Sequence, residues 1–91
     1  MVTAIVLLNI ERGMVKVVAE QLAGFDEISE VYSVAGNYDA VAIVRVRSND
    51  DLASVMTERV SAIEGIEHTE TMLAFRSFSR HDLESMFAVG Q

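Results

Sequence analysis

Few residues in this sequence are of types that do chemistry, and fewer are spaced to do it together. One group is Gly36-Asn37-Tyr38-Asp39. The Asp39 carboxylate could pair with an ammonium group through a charge-assisted hydrogen bond, the stronger kind. It could equally bond the N–H groups of its own turn. Gly36 supplies the positive φ that a turn asks for, and its bare backbone leaves N–H groups open to an approaching carboxylate. Tyr38 offers a ring to stack and a hydroxyl to bond, or an amphipathic ring to fill a contact. The second group is Thr69 and Thr71, two residues apart, which a strand would carry on one face. Their hydroxyls both donate and accept, which suits a zwitterionic ligand. Thr is also an ordinary residue of half-buried strand faces.

No catalytic set accompanies them. There is no Ser-His-Asp order, no Gly-rich phosphate loop and no His-Glu-x-x-His. Zero cysteines exclude disulfides, thiolate metal sites and a Cys nucleophile. With only His68 and His81, a multi-His metal site is not expected, and neither is a cofactor. His68 falls on the strand face away from both threonines, where solvation is expected, and His81 beside Arg80 is expected to be exposed. Arg76 and Arg80 could clamp a carboxylate or pair with acids of another chain. Glu67 and Glu70 have no catalytic partner nearby and read as a solvated face.

Charge narrows the partners. Seven Lys+Arg against fourteen Asp+Glu give −7, with no basic run of five. That is the wrong footprint for nucleic acid and for an anionic membrane surface. No apolar run approaches the ~18 residues of a membrane span. Val2–Ile10 lacks a charged n-region and reads as a strand rather than a signal peptide, so a cytoplasmic location is expected.

The elements that must position these residues follow from periodicity. Val2–Ile10 is β-branched and nearly continuous, as in a strand buried on both faces. Met14, Val17, Val18, Leu22 and Phe25 follow helical spacing, with Gly24 as a C-cap. Ile28–Ala35 alternates loosely, Gly36-Asn37 signals a compact turn, and Asp39–Arg47 is a further strand. Ser48 with Asp51 resembles a capping box before the stripe Leu52, Val55, Met56, Val60 and Ile63. Gly65 ends that helix. Ile66–Phe78 reads as the longest strand, with Thr69, Thr71, Leu73 and Phe75 on one face. Leu83, Met86 and Phe87 suit a short C-terminal helix. The order β-α-β-β-α-β is the ferredoxin-like unit of the α+β class.

Shifting the chain on itself by 38 residues supports two related βαβ halves. Ala4 falls on Ala42, Val6 on Val44, Leu22 on Val60 and Ile28 on Ile66. Any two amphipathic βαβ units share some of this pattern by chance.

At 91 residues the chain is one domain, residues 1–80 with a helical tail over 81–91. It is nonetheless 51% hydrophobic, and so small a domain buries only about 60–65% of its surface. Both helices of such a fold cover the same side of the sheet. Strand one carries Ala4, Val6 and Leu8 on one side and Ile5 and Leu7 on the other, and the third strand sets Ala40, Ala42, Val44 and Val46 opposite Val41 and Ile43, where a sheet with one solvated side would alternate with polar residues. A homo-oligomer that buries the side without helices is expected. Packing of two such sheets about 10 Å apart would do so.

Gly36-Asn37-Tyr38-Asp39, Ile63-Glu64-Gly65-Ile66 and Thr69-Glu70-Thr71 together resemble the effector-binding domain of the Lrp/AsnC (feast/famine) transcriptional regulators, also called the RAM domain. The resemblance covers residues 2–80. It implies a ferredoxin-like sandwich, a dimeric α/β barrel, and dimers assembled into rings up to an octamer. It further implies an amino acid effector between dimers, with Gly36, Tyr38, Asp39, Thr69 and Thr71 as the ligand-binding residues. Full-length members carry an N-terminal helix-turn-helix. Strand one begins at Val2 here, so direct DNA binding is not expected; the module would act by effector-dependent assembly, by co-assembly with a full-length Lrp/AsnC regulator, or by binding metabolite for another partner. Three alternatives stay open: a dimeric-barrel enzyme of the monooxygenase type, an ACT-type amino-acid-binding module, and a purely structural assembly unit.

Overall fold

The computed structural model describes residues 1–78 and 80. Its elements run β1 (Val2–Ile10), α1 (Val15–Ala23), β2 (Ile28–Ser33), β3 (Ala40–Val46), α2 (Asn49–Ser54) and β4 (Ile66–Leu73). Helix α2 continues directly into a π-helical segment, Val55–Val60. The four strands form one sheet in the order β2-β3-β1-β4, and every neighbouring pair is antiparallel. This is the ferredoxin-like α+β fold that the element order predicts. The expected C-terminal helix over 81–91 lies outside the described residues.

The core lies on the helix side of the sheet. Ala4, Val6, Leu8 and Ile10 from β1 alternate with less buried neighbours, and Ala40, Ala42, Val44 and Val46 do the same on β3. They pack with Val18 and Leu22 of α1 and with Val55 and Val60. Burying a Val or Leu side chain stabilises by roughly 1.5–3 kcal/mol, so these two strands and two helical stripes supply most of the hydrophobic stabilisation.

The two helices solve the packing problem differently. In α1, Val18 and Leu22 are four residues apart and both buried, while Val17 is half exposed. In the second helix the buried pair is Val55 and Val60, five apart. Residues five apart lie about 140° apart around an α-helix. The wider turn brings them to one side, and the Ser61 N–H donates to Met56 O at 3.1 Å in the five-residue register of a π-turn. Thr57 Oγ1 donates to Ala53 O at 2.7 Å and Ser61 Oγ donates to Thr57 O, side-chain bonds of the kind that bend helices. The 38-residue repeat therefore holds for the strands and slips in the helices: exposed Val17 matches buried Val55.

Several boundaries differ from the periodicity reading. Strand β4 stops at Leu73 rather than Phe78, which leaves nine-residue β1 as the longest strand and puts Phe75 beyond the sheet. Strands β2 and β3 are also shorter, and the turn between them is a six-residue loop, residues 34–39. Gly24 does cap α1, but at φ −78°, where any residue would serve. Ser48 caps α2 as expected, accepting the Asp51 N–H at 3.1 Å. Strand β1 is buried on its helix side only, with Ile5 and Leu7 half-buried.

The strand register lays out the open side in rows. One runs Glu30, Ile43, Ile5, Met72, and the next Tyr32, Val41, Leu7, Glu70. Thr3 faces Arg45 at one end of β1 and Asn9 faces His68 at the other. The centre of this face is apolar and its perimeter is polar. Among the described residues no helix is long and apolar enough to cross a membrane.

Gly65 joins the second helix to β4 at φ +102°, and a Cβ there would stand 3.0 Å from Met14 Sδ and 3.2 Å from Val18 Cγ2. Gly36 has φ +115° with nothing within 4 Å. Gly65→Ala should therefore cost more than Gly36→Ala. About 2–3 kcal/mol is expected for the former and about 1 kcal/mol for the latter, read from urea unfolding midpoints.

Candidate functional site

The loop over residues 34–39 is closed by one hydrogen bond of its own, held against the end of β1 by three more, and tied by a fifth across the sheet. The Val34 N–H donates to Asp39 O at 3.1 Å and closes the loop on itself. The Asp39 N–H donates to Leu8 O at 2.8 Å, continuing the β1–β3 ladder by one residue. Asn9 Nδ2 donates to Asn37 O at 2.8 Å.

The fourth bond explains why the loop ends in an acid. The β1–β4 register shifts between Asn9, paired with His68, and Ile10, paired with Ile66. At this irregularity the Ile10 N–H donates to Asp39 Oδ2 at 2.8 Å. One carboxylate oxygen thus replaces a ladder acceptor. Among the described residues Asp39 Oδ1 accepts no hydrogen bond, and it is the group with capacity left for a ligand cation.

The fifth bond crosses the sheet. Tyr38 Oη donates to Glu70 Oε2. Tyr38 precedes β3 and Glu70 lies on β4, two strands away, so the phenol spans β1 on the open side. The bond to the Glu70 carboxylate, followed by partial desolvation and the negative charge itself, raises the Tyr38 phenol above its ordinary value near 10. Tyr32 Oη makes the same kind of bond to Glu30 Oε2 on the far edge, with the same upward shift.

Of the five residues singled out by sequence, the structure brings Gly36, Tyr38 and Asp39 into this loop. It does not bring Thr69 and Thr71 to the same side. Thr69 lies across from Leu8 and Thr71 across from Val6, so both belong to rows on the helix side. The residue between them, Glu70, is the one that meets Tyr38. Sequence reading missed Asn9 and Glu70 as loop partners. Two signals pointed to them: Asn9 is a polar interruption near the end of an apolar run, and Glu70 has the strand parity opposite to its flanking threonines.

A different cleft, of about 750 Å³, lies at the other end of the molecule between β3 and the second helix, lined by Arg45, Arg47, Asp51, Glu58 and Arg59 among others. Arg59 is engaged there, paired with Glu27 at 2.6 Å and standing 4.4 Å over the Phe25 ring. Among the described residues, no group of three or more metal-ligating side chains comes together.

Asp39→Ala would strand the part-buried Ile10 N–H, so about 1–3 kcal/mol of stability should be lost in urea unfolding. Asp39→Asn keeps an acceptor and should lose less. The raised Tyr38 phenol favours the protonated form in the fold. Its contribution is therefore full below the unfolded value near 10 and is lost as pH rises through the higher folded value. Tyr38→Phe should remove that part of the alkaline unfolding limb, as followed by ultraviolet titration of the phenols against circular dichroism.

The chain is similar to known proteins over most of its length. Residues 3–83 match the Lrp/AsnC ligand binding domain. The HTH-type transcriptional regulator FL11 of Pyrococcus furiosus is 33% identical over 75 residues, covering 82% of this chain and 49% of its own length. The chain thus spans about half the length of the curated relatives it matches. The crystal structure of TTHA0845 from Thermus thermophilus superposes with a TM-score of 0.82 at 42% identity, covering 88% of this chain and 100% of that one. The structure of E. coli AsnC superposes with a TM-score of 0.82 at 25% identity, over 87% of this chain and 54% of that one. FL11 is a transcriptional regulator and AsnC of Haemophilus influenzae a regulatory protein, and the chain belongs to the Lrp/AsnC ligand-binding domain family.

Proposed function

We propose that the chain is an amino-acid sensor module that acts through assembly. The observation that carries this reading is the state of Asp39, with one oxygen bound to the Ile10 N–H and, among the described residues, the other without a partner, at the end of a loop stapled to the sheet. A fixed carboxylate suits an α-ammonium group because no reorganisation is needed to present it. Gly36 and Tyr38 flank it and would contact the rest of the ligand. Thr69 and Thr71 face the other way on the same edge strand. If both take part, they do so from a neighbouring chain, which fits a ligand held between dimers.

The open side of the sheet supports the assembly half of the proposal. Its apolar centre and polar perimeter are the anatomy of a protein interface. A second chain stacked on it forms the dimeric α/β barrel, and dimers then join into rings of up to eight chains. Ligand binding shifts this equilibrium by its differential affinity for the assembled state. The output passes to a partner in the cytoplasm, a full-length Lrp/AsnC regulator that co-assembles with this chain. No catalytic step and no cofactor is involved.

Calorimetry against the twenty amino acids, with sedimentation of the same samples, is the test. At least one amino acid should bind and change the assembly, and Asp39→Ala should abolish both effects. Absence of heat for all twenty, with assembly indifferent to Asp39→Ala, would sink the proposal. Ile43→Asp, at the centre of the open side, should leave the fold intact and yield monomers.

A further inference from the structure

Two large aromatic side chains, Phe75 and Phe78, are left exposed among the described residues. The Ala74 N–H still donates to Thr3 O at 2.9 Å, and there the ladder ends. Beyond it Phe75 is 95% exposed and Phe78 75% exposed. Two neighbouring phenyl groups in water are an uncompensated apolar surface, and they stand where the polypeptide has left the sheet.

We propose that residues 74–78 form an arm that each chain lays on a second copy of itself, with Phe75 and Phe78 as its anchors. The proposal rests on the reading above, that the open side of the sheet packs on a second chain, and deepens it by naming what seals the edge of that contact.

Position, reach, area and charge favour this occupant. The arm starts at the perimeter of the open side: a cleft of about 300 Å³ is bounded by Thr3 and Arg45, which face each other on that side, and by residues 74–77. Five residues reach up to about 16 Å, and stacked sheets stand about 10 Å apart, so the arm is long enough to cross the gap. An aromatic side chain buries about 150–250 Å², and an ordinary interface takes about 800 Å² from each partner. Two phenyls therefore supply about a third or more of each chain's share. A chain of net charge −7 repels its own copy unless cations meet acids at the contact. The arm brings Arg76, and the partner's open side offers acids on its edge strands, where Glu30 and Glu70 stand at the ends of their rows.

The chain contains no Trp, so Phe75→Trp in the full chain gives a single reporter. Its emission should move to shorter wavelength in the assembled protein. On dilution it should return to the water-exposed value with the same midpoint as dissociation measured by sedimentation. Phe75→Asp and Phe78→Asp should each weaken self-association about tenfold or more without changing the circular dichroism. Emission that stays water-exposed in a chain that does self-associate overturns the arm and leaves the stacked sheets standing. A blue-shifted emission independent of concentration means that the arm folds onto its own chain, and overturns it too. A wild-type chain that stays monomeric at all concentrations overturns both the arm and the assembly it rests on.

Discussion

The structure turns on a mismatch between a two-sided strand pair and a one-sided cover. Strands β1 and β3 sit at the centre of the sheet and are apolar in both directions. The two helices cover one direction only. Everything buried in the described chain is on the helix side, from Ala4 and Val44 to Leu22 and Val60. The other side exposes the rows built on Ile43 and Ile5 and on Val41 and Leu7. Moving the sheet register by one residue would exchange these sides. Because both are apolar, the strands alone do not choose between them. The choice falls to the helices and to the loop that clamps Leu8 and Ile10 in place.

How much of this could be read from residues alone varied with the kind of interaction. Strand and helix order followed from β-branched runs and helical stripes, and β1 was placed to the residue. Ends were harder. The run from Ile66 to Phe78 looks uniform as a sequence, yet pairing stops at Leu73 opposite Ala4, two residues short of the end of β1 at Val2. Composition alone does not place that end. The π segment was invisible for a related reason. Leu52, Val55, Met56, Val60 and Ile63 fit an α-helical stripe well enough, and the wider turn follows from which of them the sheet has room to bury.

The candidate site divides the same way. Gly36, Tyr38 and Asp39 are contiguous, so a local motif is enough to find them. Asn9 and Glu70 are far from the loop in sequence and reach it through the sheet register. Thr69 and Thr71 were correctly placed together on one face, but which face depends on Leu8 and Val6 lying under the helices. A pair of hydroxyls and a neighbouring carboxylate can thus be adjacent in sequence and separated by the full thickness of a sheet.

The phenol of Tyr38 has a mechanical consequence. It ties a loop on one side of the central strand to the edge strand on the other, across the surface where the apolar rows end. Such a strut makes the loop and the edge strand one lever. A molecule that pulls on Asp39 draws on Tyr38 next to it, and through the strut on Glu70 at the rim of the open side. Loop and rim then meet through one hydrogen bond, with no hinge or moving domain between them.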